Sequence, residues 1–183
     1  MVLALVGGLS GCGGGSTAGA GASTGPATAV ASAPVAPSAT PTPTPTVAPA
    51  GEKNTVASAE RAVRHYIAVV NNAYKTGDID EVRALSASSC KTCARYISSI
   101  RAIYAAEETV LRGTTTIKKV IASGETAPGV RQVVVDYSAS GLVLRKPDGS
   151  VKIVEPASQG DVNRYDLIFR DGAWQVLRVV ILK

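Results

Sequence analysis

Apolar side chains first recur with the three- and four-residue spacing of an amphipathic helix. Asn54 and Thr55 offer cap-type side chains ahead of this pattern, and Gly77 is the kind of residue that often ends a helix in the left-handed conformation. The pattern therefore predicts one helix from this cap to Gly77. Its apolar face consists of Val63, Tyr66, Ile67, Val70 and Tyr74.

Two further helical segments follow. The acid-rich start of residues 78–85 predicts a short second helix, which ends where serines interrupt the pattern. A third helix is predicted from about residue 91 to residue 110. Its apolar stripe contains Ile97, Ile100 and Tyr104.

Beyond Gly113 the apolar period changes to two, which is typical of strands. Two turn signals predict β-hairpins, one at Pro147-Asp148-Gly149-Ser150 and one at Asp171-Gly172. Three helices followed by an antiparallel meander give the α+β class, with the helices packed on one face of a curved sheet. The predicted strands cover residues 117–121, 132–137, 142–146, 151–155, 164–169 and 174–182.

The distribution of charge divides the chain into two parts. All 19 Lys and Arg and all 14 Asp and Glu residues lie at or after Glu52, and the net charge is +5. Residues 13–51 are almost wholly Gly, Ala, Ser, Thr, Pro and Val, which cannot bury enough apolar area to offset chain entropy. We therefore predict a disordered linker over residues 13–51 and one folded domain over residues 52–183. Its basic residues are interleaved with acids, so we expect no nucleic-acid partner.

The first twelve residues form a short apolar run that ends in Leu9-Ser10-Gly11-Cys12. This tetrapeptide resembles the lipobox of bacterial lipoproteins. The resemblance implies that residues 1–12 are a signal peptide through the lipobox cysteine. Cys12 would then carry a lipid that anchors the chain to the extracytoplasmic face of the cell membrane. A signal peptide needs a basic segment before its apolar run, so we expect the natural chain to begin upstream of Met1.

Two sets of residues carry family resemblances. The hairpin at residues 165–176, together with the order of elements, resembles the cone-shaped nuclear-transport-factor-like superfamily, which includes ketosteroid isomerase and the SnoaL-like proteins. Ala84-Leu85-Ser86, the Cys-x-x-Cys at residues 90–93 and the Thr/Pro-rich linker are similar to an uncharacterised family of actinobacterial lipoproteins. These resemblances imply a fold but no particular activity, because this fold carries unrelated functions.

Cys90 and Cys93 lie three positions apart at the predicted start of the third helix. In an exported domain they favour a structural disulfide; free buried thiols and a redox centre are the alternatives. A zinc site is disfavoured because only these two cysteines and one histidine remain once Cys12 carries lipid. We expect no metal and no other cofactor.

Two functional readings remain open at this point. The first is a non-catalytic lipoprotein whose domain binds an envelope protein or a small apolar ligand, or pairs with a second copy through the sheet. The second is a surface-displayed isomerase-like or hydrolase-like enzyme that uses Asp136 or Asp166 as a base, with tyrosines as donors. The pocket expected for either reading contains Tyr66, Tyr104, Tyr137, Tyr165 and Trp174.

Overall fold

A computed structural model of the protein describes residues 53–182. Cys12, the predicted signal peptide and the predicted linker therefore lie outside the described residues. Within the described part, the helices are α1 (Val56–Thr76), α2 (Asp80–Ala84) and α3 (Lys91–Ala105). The strands are β1 (Thr109–Arg112), β2 (Thr115–Ala127), β3 (Val130–Ala139), β4 (Leu142–Arg145), β5 (Val151–Glu155), β6 (Ser158–Arg170) and β7 (Ala173–Leu182). This order confirms the α+β class.

The first helix begins and ends where the sequence predicted. The Thr55 and Ser58 side chains each accept a hydrogen bond from the other residue's backbone N–H, which is the reciprocal arrangement of a capping box. Gly77 follows the last turn at a φ of 80°, and its N–H donates to the Ala73 carbonyl at 2.8 Å. Both ends of α1 thus satisfy backbone groups that a helix terminus leaves unpaired.

The third helix is shorter than predicted. It ends at Ala105, and residues 109–112, whose start we had assigned to the helix, form β1. The chain leaves the helix because Glu107 adopts a left-handed φ of 54°. Thr109 and Val110 then pair with β4, where β-branched side chains are better accommodated than in a helix.

The seven strands form two antiparallel sheets and not the single meander predicted. β2, β3, β6 and β7 form one sheet in that order, and β1, β4 and β5 form the other. The meander is interrupted because β3 pairs with β6, and the intervening β4–β5 hairpin pairs with β1 instead. Both predicted hairpins are present, and the tighter one carries positive φ angles at Asp171 and Gly172.

The hydrophobic core lies between α1 and the helix-facing side of the four-stranded sheet. Val63 and Tyr66 of α1 pack in it with Val133 and Val135 of β3, and all four are at least 99% buried. At one end of this layer the indole N–H of Trp174 donates to Ser58 Oγ at 3.0 Å. No helix within residues 53–182 is long and apolar enough to cross a membrane.

A disulfide joins Cys90 and Cys93 at the start of α3. Both residues are buried, with 2% and 1% of their surface exposed, and both belong to the main core. Cys90 is also the N-cap of α3, and its sulfur accepts a hydrogen bond from the Cys93 N–H at 3.2 Å. The bridge thus fixes the first turn of the helix against the core.

We expect the double variant Cys90→Ala/Cys93→Ala to lower the free energy of unfolding. A disulfide that closes so short a loop contributes about 2 kcal/mol by restricting the unfolded chain. Urea denaturation of the wild type, the reduced wild type and the double variant measures this contribution. The reduced wild type is the control that separates loss of the bond from loss of the sulfur atoms' packing. Equal unfolding free energies for oxidised and reduced protein would contradict a structural role.

Candidate functional site

The structure contains a cavity of about 180 Å³ beside the core. Its wall is formed by α1 and α3, by the helix-facing ends of β2, β3 and β6, and by the segments that lead into β4 and out of β5. This space is far larger than the roughly 10–15 Å³ that admits one water, and smaller than the pockets of about 300–1,000 Å³ that hold drug-sized ligands. The cavity therefore suits a compact ligand.

Tyrosine is the most frequent residue type on the wall of the cavity. Five of the six tyrosines in the chain line it. Two of the rings are in edge contact, since the centroids of Tyr66 and Tyr165 lie 6.3 Å apart with an interplanar angle of 68°. The five residues are Tyr66 and Tyr74 from α1, Tyr96 from α3, Tyr137 from β3 and Tyr165 from β6.

Burial keeps these phenols neutral. It is the largest cause that raises the pKa of Tyr66, Tyr74, Tyr96, Tyr137 and Tyr165 above the ordinary phenol value. Hydrogen bonding to Asn163 acts in the opposite direction on Tyr137 and Tyr165, but the pKa of both remains raised. The wall therefore presents uncharged rings and hydroxyl groups at neutral pH.

Two contacts with backbone atoms fix the position of elements that line the cavity. The side-chain amide of Asn71 donates to the Thr115 carbonyl and accepts from the Thr115 backbone N–H, both at 2.9 Å. These two hydrogen bonds connect α1 to β2. Gly141 has a φ of 73°, and a Cβ there would lie 2.7 Å from both the Glu155 carbonyl oxygen and the Ala157 nitrogen. Only glycine allows this close approach, which places Glu155 at the cavity.

The formal charges on the wall are negative. Glu155 and Asp161 line the cavity, and among the described residues that line it there is no Lys, Arg or His. The Glu155 carboxylate further raises the pKa of Tyr74, Tyr96 and Tyr137. Its negative charge therefore acts on tyrosines from α1, α3 and β3. Asp161 acts in the same direction on Tyr137, its register partner on the neighbouring strand.

One buried polar atom on the wall has no partner. Asn163 lines the cavity with 5% of its surface exposed, and its Oδ1 accepts no hydrogen bond within the described part of the chain. An unpaired buried amide oxygen costs about 1–3 kcal/mol, so native proteins rarely leave one without a reason. A ligand that donates an N–H or O–H would satisfy it.

The residues predicted for the site separate into two groups. Tyr66, Tyr137 and Tyr165 are on the cavity wall, whereas Tyr104 and Trp174 are elsewhere. Tyr104 is 38% exposed and donates its hydroxyl to the Tyr74 carbonyl at 3.1 Å. Trp174 is a core residue because its ring packs edge-on against Phe169, with centroids 5.0 Å apart.

The two candidate catalytic aspartates do not line the cavity. Because side chains alternate along a strand, Asp136 lies on the face of β3 opposite to its cavity-lining neighbour Tyr137. Asp166 lies on the same outer face, 3% exposed, and accepts hydrogen bonds from Arg164 Nε at 3.0 Å and Arg178 Nε at 2.8 Å. The oxygens of the Asp166 carboxylate are thus engaged in charge-assisted hydrogen bonds to two guanidinium groups, which indicates a structural role.

Sequence reasoning missed several residues of the wall. Asn71, Tyr74, Glu155, Asp161 and Asn163 line the cavity and were not among the predicted site residues. Tyr74 was visible as part of the apolar stripe of α1, and Asn71 lies one turn before it. Within residues 53–182, no three or more His, Cys, Asp or Glu residues are grouped as a metal site would require.

Comparison with known proteins identifies the family. The chain matches the family of unknown function DUF6318 over residues 28–180, which is most of its length, and it therefore belongs to that family. No curated protein matches the chain.

Several solved structures are similar to part of the chain. The intermembrane space region of the chloroplast protein ARC6 has 11% identity and a TM-score of 0.49, covering 70% of this chain and 96% of that one. An uncharacterised protein with a cystatin-like fold from Caulobacter vibrioides has 15% identity and a TM-score of 0.44, covering 67% and 89%. An NTF2-like protein with a cystatin-like fold from Novosphingobium aromaticivorans has 14% identity and a TM-score of 0.39, covering 66% and 79%.

We expect the buried phenols to make the protein sensitive to alkali. A phenol whose pKa is raised in the folded state stabilises the fold fully below the ordinary phenol pKa of about 10, and this stabilisation is lost as pH rises towards the folded-state value. Each such phenol can lower the free energy of unfolding by up to about 1.4 kcal/mol per pH unit in that window. Urea denaturation between about pH 8 and about pH 11 measures the decline.

The variant Tyr165→Phe should reduce the slope of this decline, because Tyr165 is 4% exposed. Tyr104→Phe is the matched control outside the cavity and should change the slope less. Equal slopes for the wild type and Tyr165→Phe would contradict the burial of this phenol.

Proposed function

We propose that this member of the DUF6318 family is a non-catalytic, lipid-anchored envelope protein that binds a compact ligand in its tyrosine-lined cavity. The single observation that carries the binding function is the cavity wall, which is lined by five neutral tyrosines together with polar side chains that include the buried Asn163. Aromatic and apolar side chains combined with convergent polar groups are the usual composition of small-molecule sites. The finer fold assignment, a cone of the nuclear-transport-factor type, is part of this proposal.

Binding is favoured over the enzymatic alternative at Asp136 or Asp166 by the positions of these two residues. The enzymatic alternative needs a carboxylate base facing an oxyanion donor inside one pocket. Asp136 and Asp166 are outside the lining, and Asp166 is paired with two arginines. Binding therefore needs fewer assumptions than isomerase-like or hydrolase-like chemistry at these residues.

The anchoring part of the proposal rests on the lipobox resemblance of Leu9-Ser10-Gly11-Cys12. A lipid-modified Cys12 would carry two acyl chains on its diacylglyceryl group, which suffice for stable membrane attachment. The proline-rich linker would then hold the domain away from the lipid head groups. Pairing of two copies through the sheet, or with another envelope protein, stays a prediction.

We expect Cys12→Ser in the natural gene to release the protein from the membrane. Without the thiol no thioether-linked lipid can form, so the protein should move from the membrane fraction to the soluble fraction or remain as an uncut precursor. Cell fractionation, with intact-mass measurement of the amino-terminal peptide, checks both outcomes. Ser16→Ala is the matched control, because it changes a nearby residue outside the lipobox and leaves the Cys90–Cys93 disulfide intact. Membrane retention of Cys12→Ser with a cleaved, lipid-bearing amino-terminal peptide would contradict lipidation at this residue.

We expect small amphipathic fragments to bind in the cavity. Amide nitrogen–proton NMR spectra of the domain, recorded with a fragment library, should show shifts concentrated at cavity residues such as Tyr137 and Asn163. Ala139→Phe places a ring in the cavity and should abolish these shifts while the rest of the spectrum is preserved. Ala127→Phe, at an exposed position of β2 outside the cavity, is the matched control. Shifts that survive Ala139→Phe, or a library with no binder, would contradict the proposed function.

A further inference from the structure

The charge on the cavity wall is opposite to the charge of the whole chain. The protein carries a net charge of +5. The formal charges that line the cavity are nevertheless the two carboxylates Glu155 and Asp161. A basic protein that presents only acids around its cavity has a local potential that attracts cations and repels anions.

The aromatic wall favours the same kind of ligand. The face of a phenol ring carries partial negative charge, and a cation placed over it within about 6 Å of the centroid is attracted by about 0.5–2 kcal/mol. Several rings around one space form the arrangement that holds alkylated ammonium groups. The five phenols are neutral at neutral pH, and burial raises their pKa further, so they offer uncharged rings and hydroxyl groups and not phenolates.

The third observation concerns hydrogen bonding. Asn163 lines the cavity, and its Oδ1 is a buried acceptor without a donor among the described residues. An ammonium group that keeps at least one N–H can donate to it, whereas a quaternary ammonium cannot. An ionised carboxylate group would offer this oxygen no donor, and any anionic ligand would face Glu155 and Asp161.

We infer that the cavity binds a compact organic ammonium ion, with its alkyl groups against the tyrosine rings, an N–H on Asn163 Oδ1, and its charge balanced by Glu155 and Asp161. This inference rests on the proposed binding function and specifies its ligand class. Arg95 on α3 lowers the pKa of Tyr74 but does not line the cavity. The cation would therefore meet no basic side chain on the wall.

Four probes of similar compact shape test this inference on the wild-type domain: tert-butylammonium, tetramethylammonium, tert-butanol and pivalate. NMR titration of the cavity amides gives the dissociation constant of each. We expect tert-butylammonium to bind most tightly, about tenfold tighter than neutral tert-butanol, followed by tetramethylammonium, and pivalate to bind most weakly.

Two pairs of substitutions separate charge from shape. Glu155→Gln/Asp161→Asn should weaken tert-butylammonium about tenfold and change tert-butanol by less than about twofold. Glu107→Gln/Asp171→Asn is the matched control, because it removes two exposed carboxylates outside the cavity. Asn163→Leu should remove the preference for tert-butylammonium over tetramethylammonium.

The outcomes distinguish this inference from the proposed function. Binding of tert-butanol or pivalate as tight as that of tert-butylammonium overturns the cation inference and leaves the cavity as a ligand site. Binding of none of the four probes also overturns it, and the fragment titration with Ala139→Phe then decides the proposed function separately. If the cavity pair and the control pair of substitutions weaken tert-butylammonium binding equally, the effect comes from the net charge of the protein. That result would overturn the inference as well.

Discussion

The packing of α1 across the four-stranded sheet is the contact on which both the core and the cavity depend. The helix is attached by hydrogen bonds at both ends. Near its start, Ser58 of the capping box accepts from the Trp174 indole at 3.0 Å, and near its end Asn71 exchanges two hydrogen bonds with Thr115. Between these attachments, Tyr66 reaches both the core and the cavity. A shift of α1 along the sheet would therefore disturb the core and the ligand space together.

The two ends of this helix–sheet layer are filled differently. At the end near Ser58, the rings of Trp174 and Phe169 pack against each other. At the other end the sheet continues beyond the main core, and the second sheet, through Leu142 and Glu155, provides part of the wall that encloses the cavity. The cavity thus results from β3 pairing with β6, because this pairing sets the β4–β5 hairpin outside the larger sheet, where it contributes to the cavity wall.

Local signals predicted much of the fold and little of the site. The caps of α1, the turn at Gly77 and both hairpins depend on short stretches of chain, and the structure contains them as predicted. The predicted end of α3 was wrong because the apolar stripe of the helix continues into a β-branched segment without a visible break. The predicted pairing of β3 was wrong because an apolar period of two does not specify which strand is the partner. Asn163 and Asp161 belong to the site only through that pairing, which places them beside Val135 and Tyr137. Glu155 ends an exposed strand and comes to the cavity through its pairing with Leu142 and the close approach of its carbonyl oxygen to Gly141.

The polar lining of the cavity is difficult to explain by stability alone. A core of Leu, Val and Phe side chains would fill the same space without leaving Asn163 Oδ1 unpaired or burying phenols whose hydroxyl groups need partners. The packing of Trp174 against Phe169 at the other end of the layer is an example of such filling in the same fold. Because unpaired buried acceptors and unfilled space both lower stability, their coincidence at one place favours a role in which the missing atoms come from a bound molecule. In the function we propose, the two carboxylates on the wall would select that molecule by charge, and the tyrosine side chains would select it by shape.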